Sequence, residues 1–314
     1  MVEIDDLKIH FFTRRGPAKA VDKISFGIEK NDTFGLIGES GCGKTTVALS
    51  MIRIVKPPGR IVGGRIFFNK SDIVRMSHEE IRRLRGKDIS IVRQEAQNAL
   101  NPVMTIGKQI TEVILHHENV PKEAAWARAA DQLALVGISD KRMTSYPHEF
   151  SGGMKQRAMV AISTACNPKF LILDEPTTGL DVIVQRQLLS LIKDLKTRLH
   201  LTALLITHDL SVIAETCDRV AVMYAGKIVE QADTVSLYGH PIHPYSQALI
   251  GAYPSLEGER KKLKSIPGAP PGLIDPPPGC RFQPRCPHAM DVCEREDPAV
   301  LERDGHRVAC HLVE

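Results

Sequence analysis

Gly38 to Thr46 reads G-E-S-G-C-G-K-T-T, a spacing of small residues ahead of a lysine and a hydroxyl that suits holding phosphate. Glycines let backbone N–H groups converge on phosphate oxygens at the positive end of a following helix. Gly38, Ser40, Gly41, Cys42, Gly43, Lys44, Thr45 and Thr46 are therefore candidates to hold a nucleoside triphosphate. Lys44 would reach the β- and γ-phosphates, and Thr45 would hold Mg2+. Elsewhere, Phe170-Leu-Ile-Leu-Asp-Glu175 is an apolar run ending in two carboxylates. Asp174 is placed to support Mg2+ through water and Glu175 to polarise an attacking water. Gln94 closes the run from Asp88 with an amide that can orient water or Mg2+ near a γ-phosphate, and His208 follows Ala203 to Thr207, where it could sense or hold the γ-phosphoryl group. Ser151, Gly152 and Gly153 precede a helical run from Met154 to Ala165, so their N–H groups would form a second anion site. Phe11 or Phe12, upstream of the loop, could stack on a base.

A different chemistry sits in the tail. Cys280, Cys286, Cys293 and Cys310 supply four soft ligands, suited to zinc or an iron–sulfur cluster. Their spacing matches neither the paired zinc knuckle nor a bacterial ferredoxin run, so spacing alone does not establish a metal. Cys42, Cys166 and Cys217 are isolated.

These residues need elements to place them. The apolar run Thr33 to Ile37, then the glycine loop, then Val47 to Ile54 reads as strand, loop and helix. Leu7 to Phe12 and Ala20 to Ile28 read as two strands joined by the basic turn Thr13 to Gly16. Pro57-Pro-Gly59 and Gly63-Gly64 read as punctuation before a strand from Arg65 to Asn69, and Ser77 to Arg85 as a capped helix. Ile106 to Val136 reads as a helical insert stopped by Gly137. Val182 to Leu199 is a helix whose Val184, Leu188, Leu191, Ile192, Leu195 and Leu199 should form one core stripe. Carboxylates at the carboxyl end of a buried strand belong to a parallel sheet, where ligands bind at strand ends.

Composition sets limits. The 314 residues suffice for about two domains, and 43% hydrophobic with 25% charged is an ordinary globular balance. A net charge of +4 is too mild to argue for nucleic acid. No apolar run reaches the roughly 20 residues a membrane span needs, and the N-terminus lacks a signal-peptide layout. The expectation is an intracellular chain whose membrane role requires partner subunits.

Six motifs stand in one order: GESGCGKTT, RQEAQNALNP, FSGGMKQR, LILDEP, TTGLD and ITHDL. Together they resemble the Walker A loop, Q-loop, signature, Walker B, D-loop and switch of ABC transporter ATP-binding subunits. Within that family the chain is similar to the oligopeptide/dipeptide uptake group over nearly its whole length. YPHEFSGGMKQRAM looks like the D-type member of a D and F pair, and Ile266-Pro-Gly-Ala-Pro-Pro with Gly279 to Pro287 is similar to the C-terminal extension of that group. Arg93 and Ala96 depart from the family's Q-loop, where an aromatic and often a proline stand.

The resemblance implies an α/β fold: a P-loop ABC ATPase core with a parallel sheet, an antiparallel β subdomain and an inserted α-helical subdomain at about 97–163, all within 1–255. A Cys/Pro-rich extension would follow at 256–314. It implies ATP and Mg2+ as cofactors, with Asp181 of the D-loop at the nucleotide site, and a 4Fe–4S cluster on the four tail cysteines. It implies a head-to-tail pair with a homologous F-type ATP-binding subunit, Ser151 and Gly153 of each chain facing the γ-phosphate held by the other. Two transmembrane permease subunits would complete the assembly on the cytoplasmic face of the membrane. An extracytoplasmic solute-binding protein would act indirectly, and no nucleic acid is implied. Di- or oligopeptides are the expected solute, with oligosaccharides or nickel as alternatives in the same group. A soluble ABC ATPase lacks the usual second cassette here, and a P-loop kinase has no use for SGGMKQR.

Overall fold

The computed structural model describes residues 1–93, 99–252 and 266–313. β1 (Val2–Thr13) and β2 (Gly16–Ile28) pair antiparallel, each longer than expected but joined at the anticipated basic turn. β3 (Thr33–Ile37) is buried throughout, and α1 (Lys44–Met51) follows the glycine loop. The helix starts earlier than its apolar run because Lys44, Thr45 and Thr46 are already its first turn. β4 (Gly59–Phe68) continues through Gly63 and Gly64 instead of stopping there. The register against β1 jumps between Asp5/Arg65 and Lys8/Gly63, a β-bulge in which Asp6 and Leu7 of β1 stand opposite Gly64. Gly64 has φ +84, and a Cβ on it would lie 2.4 Å from the Asp6 carbonyl oxygen. β5 (Ser71–Asp72) is short.

α2 (His78–Leu84) carries the expected cap, a reciprocal box between Ser77 and Glu80. β6 (Ile89–Val92) follows. The expected single helical insert is divided into α3 (Ile106–His117) and α4 (Lys122–Leu135). Pro121, which has no N–H to donate within a helix, stands at the start of the second. α5 (Gly152–Thr164), β7 (Phe170–Asp174) and α6 (Val182–Leu199) come next. Of the stripe expected on α6, Leu188 and Leu195 are buried, while Val184, Leu191, Ile192 and Leu199 are half-buried. The chain then forms β8 (Thr202–Ile206), α7 (Leu210–Thr216), and the hairpin β9 (Arg219–Tyr224) and β10 (Lys227–Asp233). α8 (Thr234–Gly239), α9 (Pro244–Gly251) and α10 (Asp291–Arg295) are short helices. β11 (Val300–Arg303) and β12 (His306–Ala309) form a hairpin, followed by a 3-10 turn at His311–Val313.

The chain forms two compact units. One comprises Met1–Ile28, Thr33–Val74 and Ile206–Glu314. It holds an antiparallel sheet of order β2-β1-β4-β5 and a run of strands ordered β11-β12-β10-β9-β3, in which β3 and β9 are parallel. The described part of the tail packs onto the rest of this unit: β12 adds to β10, burying Val308, and Phe282 joins Tyr224 and Tyr245 in an aromatic cluster with ring centroids 4.6 to 5.4 Å apart.

The other unit comprises Glu29–Asp32 and Arg75–Leu205. Its strands run β8-β7-β6, with β6 and β7 parallel. Its helical insert packs around Ile106, Ile110, Ile114, Ala125, Ala129 and Leu133, all buried. The architecture is the expected α/β one, with parallel strands, an antiparallel sheet and an inserted helical region.

Candidate functional site

In the first unit, β3 delivers the chain to Gly38 at φ +149, where a Cβ would lie 2.0 Å from the Met223 carbonyl oxygen. Gly43, at φ +111, is the N-cap of α1, and a Cβ there would meet the Ala20 carbonyl oxygen at 2.2 Å. No side chain caps α1. Its positive end is therefore presented to the loop, the arrangement that attracts anions. Lys44 is 6% exposed and folds back on the loop. Its Nζ donates to the carbonyls of Gly38 at 2.7 Å and Glu39 at 3.0 Å, and lies 3.7 Å from Cys42 Sγ. Burial pushes the Cys42 thiol pKa up, and the Lys44 ammonium pulls it back toward ionisation. The loop thus holds a cation at its centre, on oxygens that phosphate can replace.

Phe11 is half-buried, its ring against Gly59 on the neighbouring strand. Phe12 is 49% exposed, with the Arg60 guanidinium 5.9 Å from its ring centroid. His208 is exposed at the entry to α7, whose N-cap is Asp209.

The second unit carries the remaining candidates. Asp174 is 2% exposed at the end of β7. Glu175 has the left-handed φ of +48, and its Oε2 accepts from the Thr178 hydroxyl at 2.9 Å. That hydrogen bond orients the carboxylate, a contact that the apolar run ending in acids does not signal. β6 ends at Val92, in register with Leu173 and parallel to it, so both strands have their carboxyl ends on one edge. Gln94 itself, with Ala96, lies outside the described residues.

Ser151 is the N-cap of α5, its Oγ accepting from the Met154 N–H at 3.3 Å. The helix begins at Gly152, so Gly152 and Gly153 form its first turn rather than preceding it. A Cβ on Gly153 would lie 2.5 Å from Val184 Cγ1, so the start of α6 packs closely on the glycine turn. Asp181 caps α6, accepting from the Val184 N–H at 2.9 Å. Arg157 ties the helices further, donating to Gln187 Oε1 at 2.9 Å. Ser151 itself is exposed.

The four tail cysteines are free thiols. Burial raises the pKa of Cys280 to about 11 and raises those of Cys286 and Cys310, and Cys293 acts electrostatically on all three. Among the described residues, however, no three His, Cys, Asp or Glu side chains converge closely enough to hold a metal ion. The donor set suits a soft metal, but the expected 4Fe–4S or zinc geometry is not closed. What staples this stretch is arginine and aromatic packing. Arg281, its side chain 4% exposed, pairs with Asp22 and donates to the Ala225 carbonyl. Arg285 pairs with Glu39 of the phosphate loop at 2.8 Å. Sequence offered no signal for that contact, which spans 246 positions.

The ABC transporter family profile matches residues 21–178, and that of the oligopeptide/dipeptide transporter C-terminal region matches 229–293. The oligopeptide transport ATP-binding protein AppD of Bacillus subtilis is 45% identical, the alignment covering 100% of this chain and 97% of that protein. The dipeptide transport ATP-binding protein DppD of Escherichia coli is 41% identical over 99% of this chain and 96% of its own. Among solved structures, the dimeric post-hydrolysis ATP-binding cassette MJ0796 with ADP and Pi aligns with a TM-score of 0.67 at 20% identity. That alignment covers 74% of this chain and 99% of the other, and shows a shared fold.

Proposed function

The chain belongs to the ABC transporter ATP-binding proteins of the oligopeptide and dipeptide group, and from that membership we propose that it binds and hydrolyses ATP to energise the import of di- or oligopeptides. The carrying observation is the preformed phosphate loop with Lys44 already buried inside it.

When ATP enters, Lys44 exchanges the Gly38 and Glu39 carbonyls for β- and γ-phosphate oxygens, while the uncapped N-terminus of α1 supplies N–H donors. Mg2+, held by Thr45, Gln94 and Asp174, would neutralise charge developing on the phosphates. Glu175, oriented by Thr178, accepts a proton from the attacking water, and His208 contacts the γ-phosphate. Phe11 lies against the base, and Asp181 borders the site.

Ser151, Gly152 and Gly153 serve the nucleotide of a partner, a homologous F-type ATP-binding subunit arranged head to tail. The exposed Ser151 at that helix start supports the reading. ATP contacted from both sides favours the closed pair, and hydrolysis releases it. Two permease subunits carry the solute, delivered by an extracytoplasmic binding protein, with this chain peripheral on the cytoplasmic face. No helix among the described residues is long and apolar enough to cross a membrane. The functional domains are 1–255, with a helical subdomain near 97–163, and the extension 256–314.

The tail cysteines are read as ligands of a 4Fe–4S cluster, with zinc as the alternative, once their Sγ atoms close together. Iron and sulfide in anaerobically purified protein, with absorption near roughly 400 nm, support the cluster. Stoichiometric zinc in colourless protein, or no metal at all, removes it.

Copurification with two hydrophobic permeases, together with peptide-stimulated ATP turnover of the assembly, tests the whole reading. In that assembly Glu175→Gln should retain ATP while turnover falls by about 10²- to 10⁴-fold, the usual contribution of a general base. Full turnover in the variant removes Glu175 from catalysis.

A further inference from the structure

The tail reaches the ATP site through one side chain. Glu39, the second residue of the phosphate loop, is pinned by its backbone: its N–H donates to Tyr245 Oη at 3.0 Å, and its carbonyl accepts from Lys44 Nζ at 3.0 Å and from the Cys42 N–H at 3.3 Å. A carboxylate fixed so close to a triphosphate site repels the ligand the loop exists to hold. Arg285 meets that carboxylate as a fork, Nη1 to Oε2 at 2.8 Å and Nη2 to Oε1 at 3.1 Å. Two-point pairing of this kind combines charge with direction.

Arg285 is itself held from every side. Nε donates to the Pro267 carbonyl at 2.7 Å and Nη1 to Tyr224 Oη at 3.2 Å, and the guanidinium carbon lies 5.7 Å from the Tyr224 ring centroid. Its side chain is 5% exposed, while that of Glu39 is 26% exposed. The buried partner is thus the fixed one, and the carboxylate is drawn back onto it. Glu39 keeps the Arg285 guanidinium firmly protonated.

We propose that Arg285, from the cysteine-bracketed stretch of the tail, is a positioning residue of the ATP site: it neutralises Glu39 and ties it back, and so sets the affinity of the loop for ATP. The proposal rests on the ATPase reading above. It makes the tail a working part of the nucleotide site rather than an appendage.

The test is MgATP binding by the full chain, read with a fluorescent ATP analogue at low and high salt. Removing Arg285 exposes an unneutralised carboxylate, so Arg285→Ala should bind on the order of tenfold more weakly, a loss that salt reduces. Removing Glu39's charge leaves Arg285 uncompensated, so Glu39→Gln should bind several-fold more tightly, about threefold at low salt. The double variant should return to within about twofold of the parent, because both charges are gone. Opposite signs with cancellation are not produced by a merely structural staple. Equal binding in all three variants, weaker binding in Glu39→Gln, or a double variant as weak as Arg285→Ala each overturns the proposal. Should Arg285→Ala not fold, the sign of the change in Glu39→Gln still decides. A parent chain that binds no ATP defeats the ATPase reading instead.

Discussion

Two helix starts in this chain carry glycines, and they are built differently. α1 begins after a left-handed glycine, has no side-chain cap, and closes its loop around a buried lysine. α5 begins after an exposed serine that caps it with its own hydroxyl, and it has no cation of that kind in its first turn. The first is a complete cradle for phosphate. The second is a capped helix start whose serine is exposed, and on the proposed head-to-tail reading it would complete a partner's phosphate site.

Glycine substitutions break the comparison most sharply. Gly38→Ala forces a Cβ to within 2.0 Å of a backbone oxygen at a φ of +149, and neither the carbonyl nor the strand can yield. We expect a loss of about 3 kcal/mol or more in stability and no measurable MgATP binding by the single chain. Gly153→Ala meets only a Val184 methyl at 2.5 Å, and its backbone is helical. Alanine's better helix propensity, about 1 kcal/mol, offsets part of that crowding. Denaturant unfolding should place this variant within about 1 kcal/mol of the parent, with ATP still bound by the isolated chain. Equal losses in the two variants would mean that the helix starts are not the distinct devices the geometry describes.

Lysine and serine separate the two next. Lys44→Ala deletes the cation at the centre of the first site and leaves the Gly38 and Glu39 carbonyls without it, so single-chain MgATP affinity should fall about 100-fold. Ser151→Arg should leave that affinity alone and instead stop turnover once the chain is assembled with its partner and permeases. ATP turnover by an assembly carrying Ser151→Arg at the parental rate removes the signature helix from the mechanism.

How far sequence went follows the same division. β3, the glycine loop and α6 were legible because each is local: an apolar run, a spacing of glycines, a periodic stripe. Boundaries moved where one signal overrode another. Lys44 to Thr46 were read as loop and are helix, Gly63 and Gly64 were read as punctuation and lie inside β4 across from a bulge in β1, and the apolar period from Ile106 to Val136 hid the break that Pro121 enforces. The tail was the least legible. Its cysteines suggested stapling by metal, whereas the structure staples it with Arg281, Arg285 and Phe282 onto residues near positions 22, 39, 224 and 245. Contacts so distant in sequence leave no trace in spacing or composition.

Acid sharpens the contrast more gently. His243 is 1% exposed, caps α9 by accepting the Tyr245 N–H on Nδ1 at 3.0 Å, and lies 5.8 Å from the Phe282 ring. Its own N–H donates to Glu230, which also pairs with His306. Burial lowers the His243 pKa to about 3. Because the folded value lies below the unfolded one, the unfolded chain takes up the proton first. Stability is full above about pH 6.5 and declines as pH falls toward 3. By pH 5 the loss should be about 2 kcal/mol, measured by denaturant unfolding. His243→Asn keeps an acceptor at the cap and should lose this contribution to the acid dependence.

The smallest effect separates cap from ligand at Ser151. Its oxygen accepts the Met154 N–H, and an acceptor role leaves the hydroxyl proton available to a phosphate. Ser151→Ala removes both functions and should cost about 1 kcal/mol in unfolding, the usual worth of an N-cap. Ser151→Asp restores the acceptor and favours the helix's positive end, so stability should match the parent. On the proposed head-to-tail reading a carboxylate there would face the partner's γ-phosphate, and turnover of the assembly should fall below that of Ser151→Ala. If aspartate instead supports faster turnover than alanine, the serine serves only to start its helix, and the second anion site does not exist.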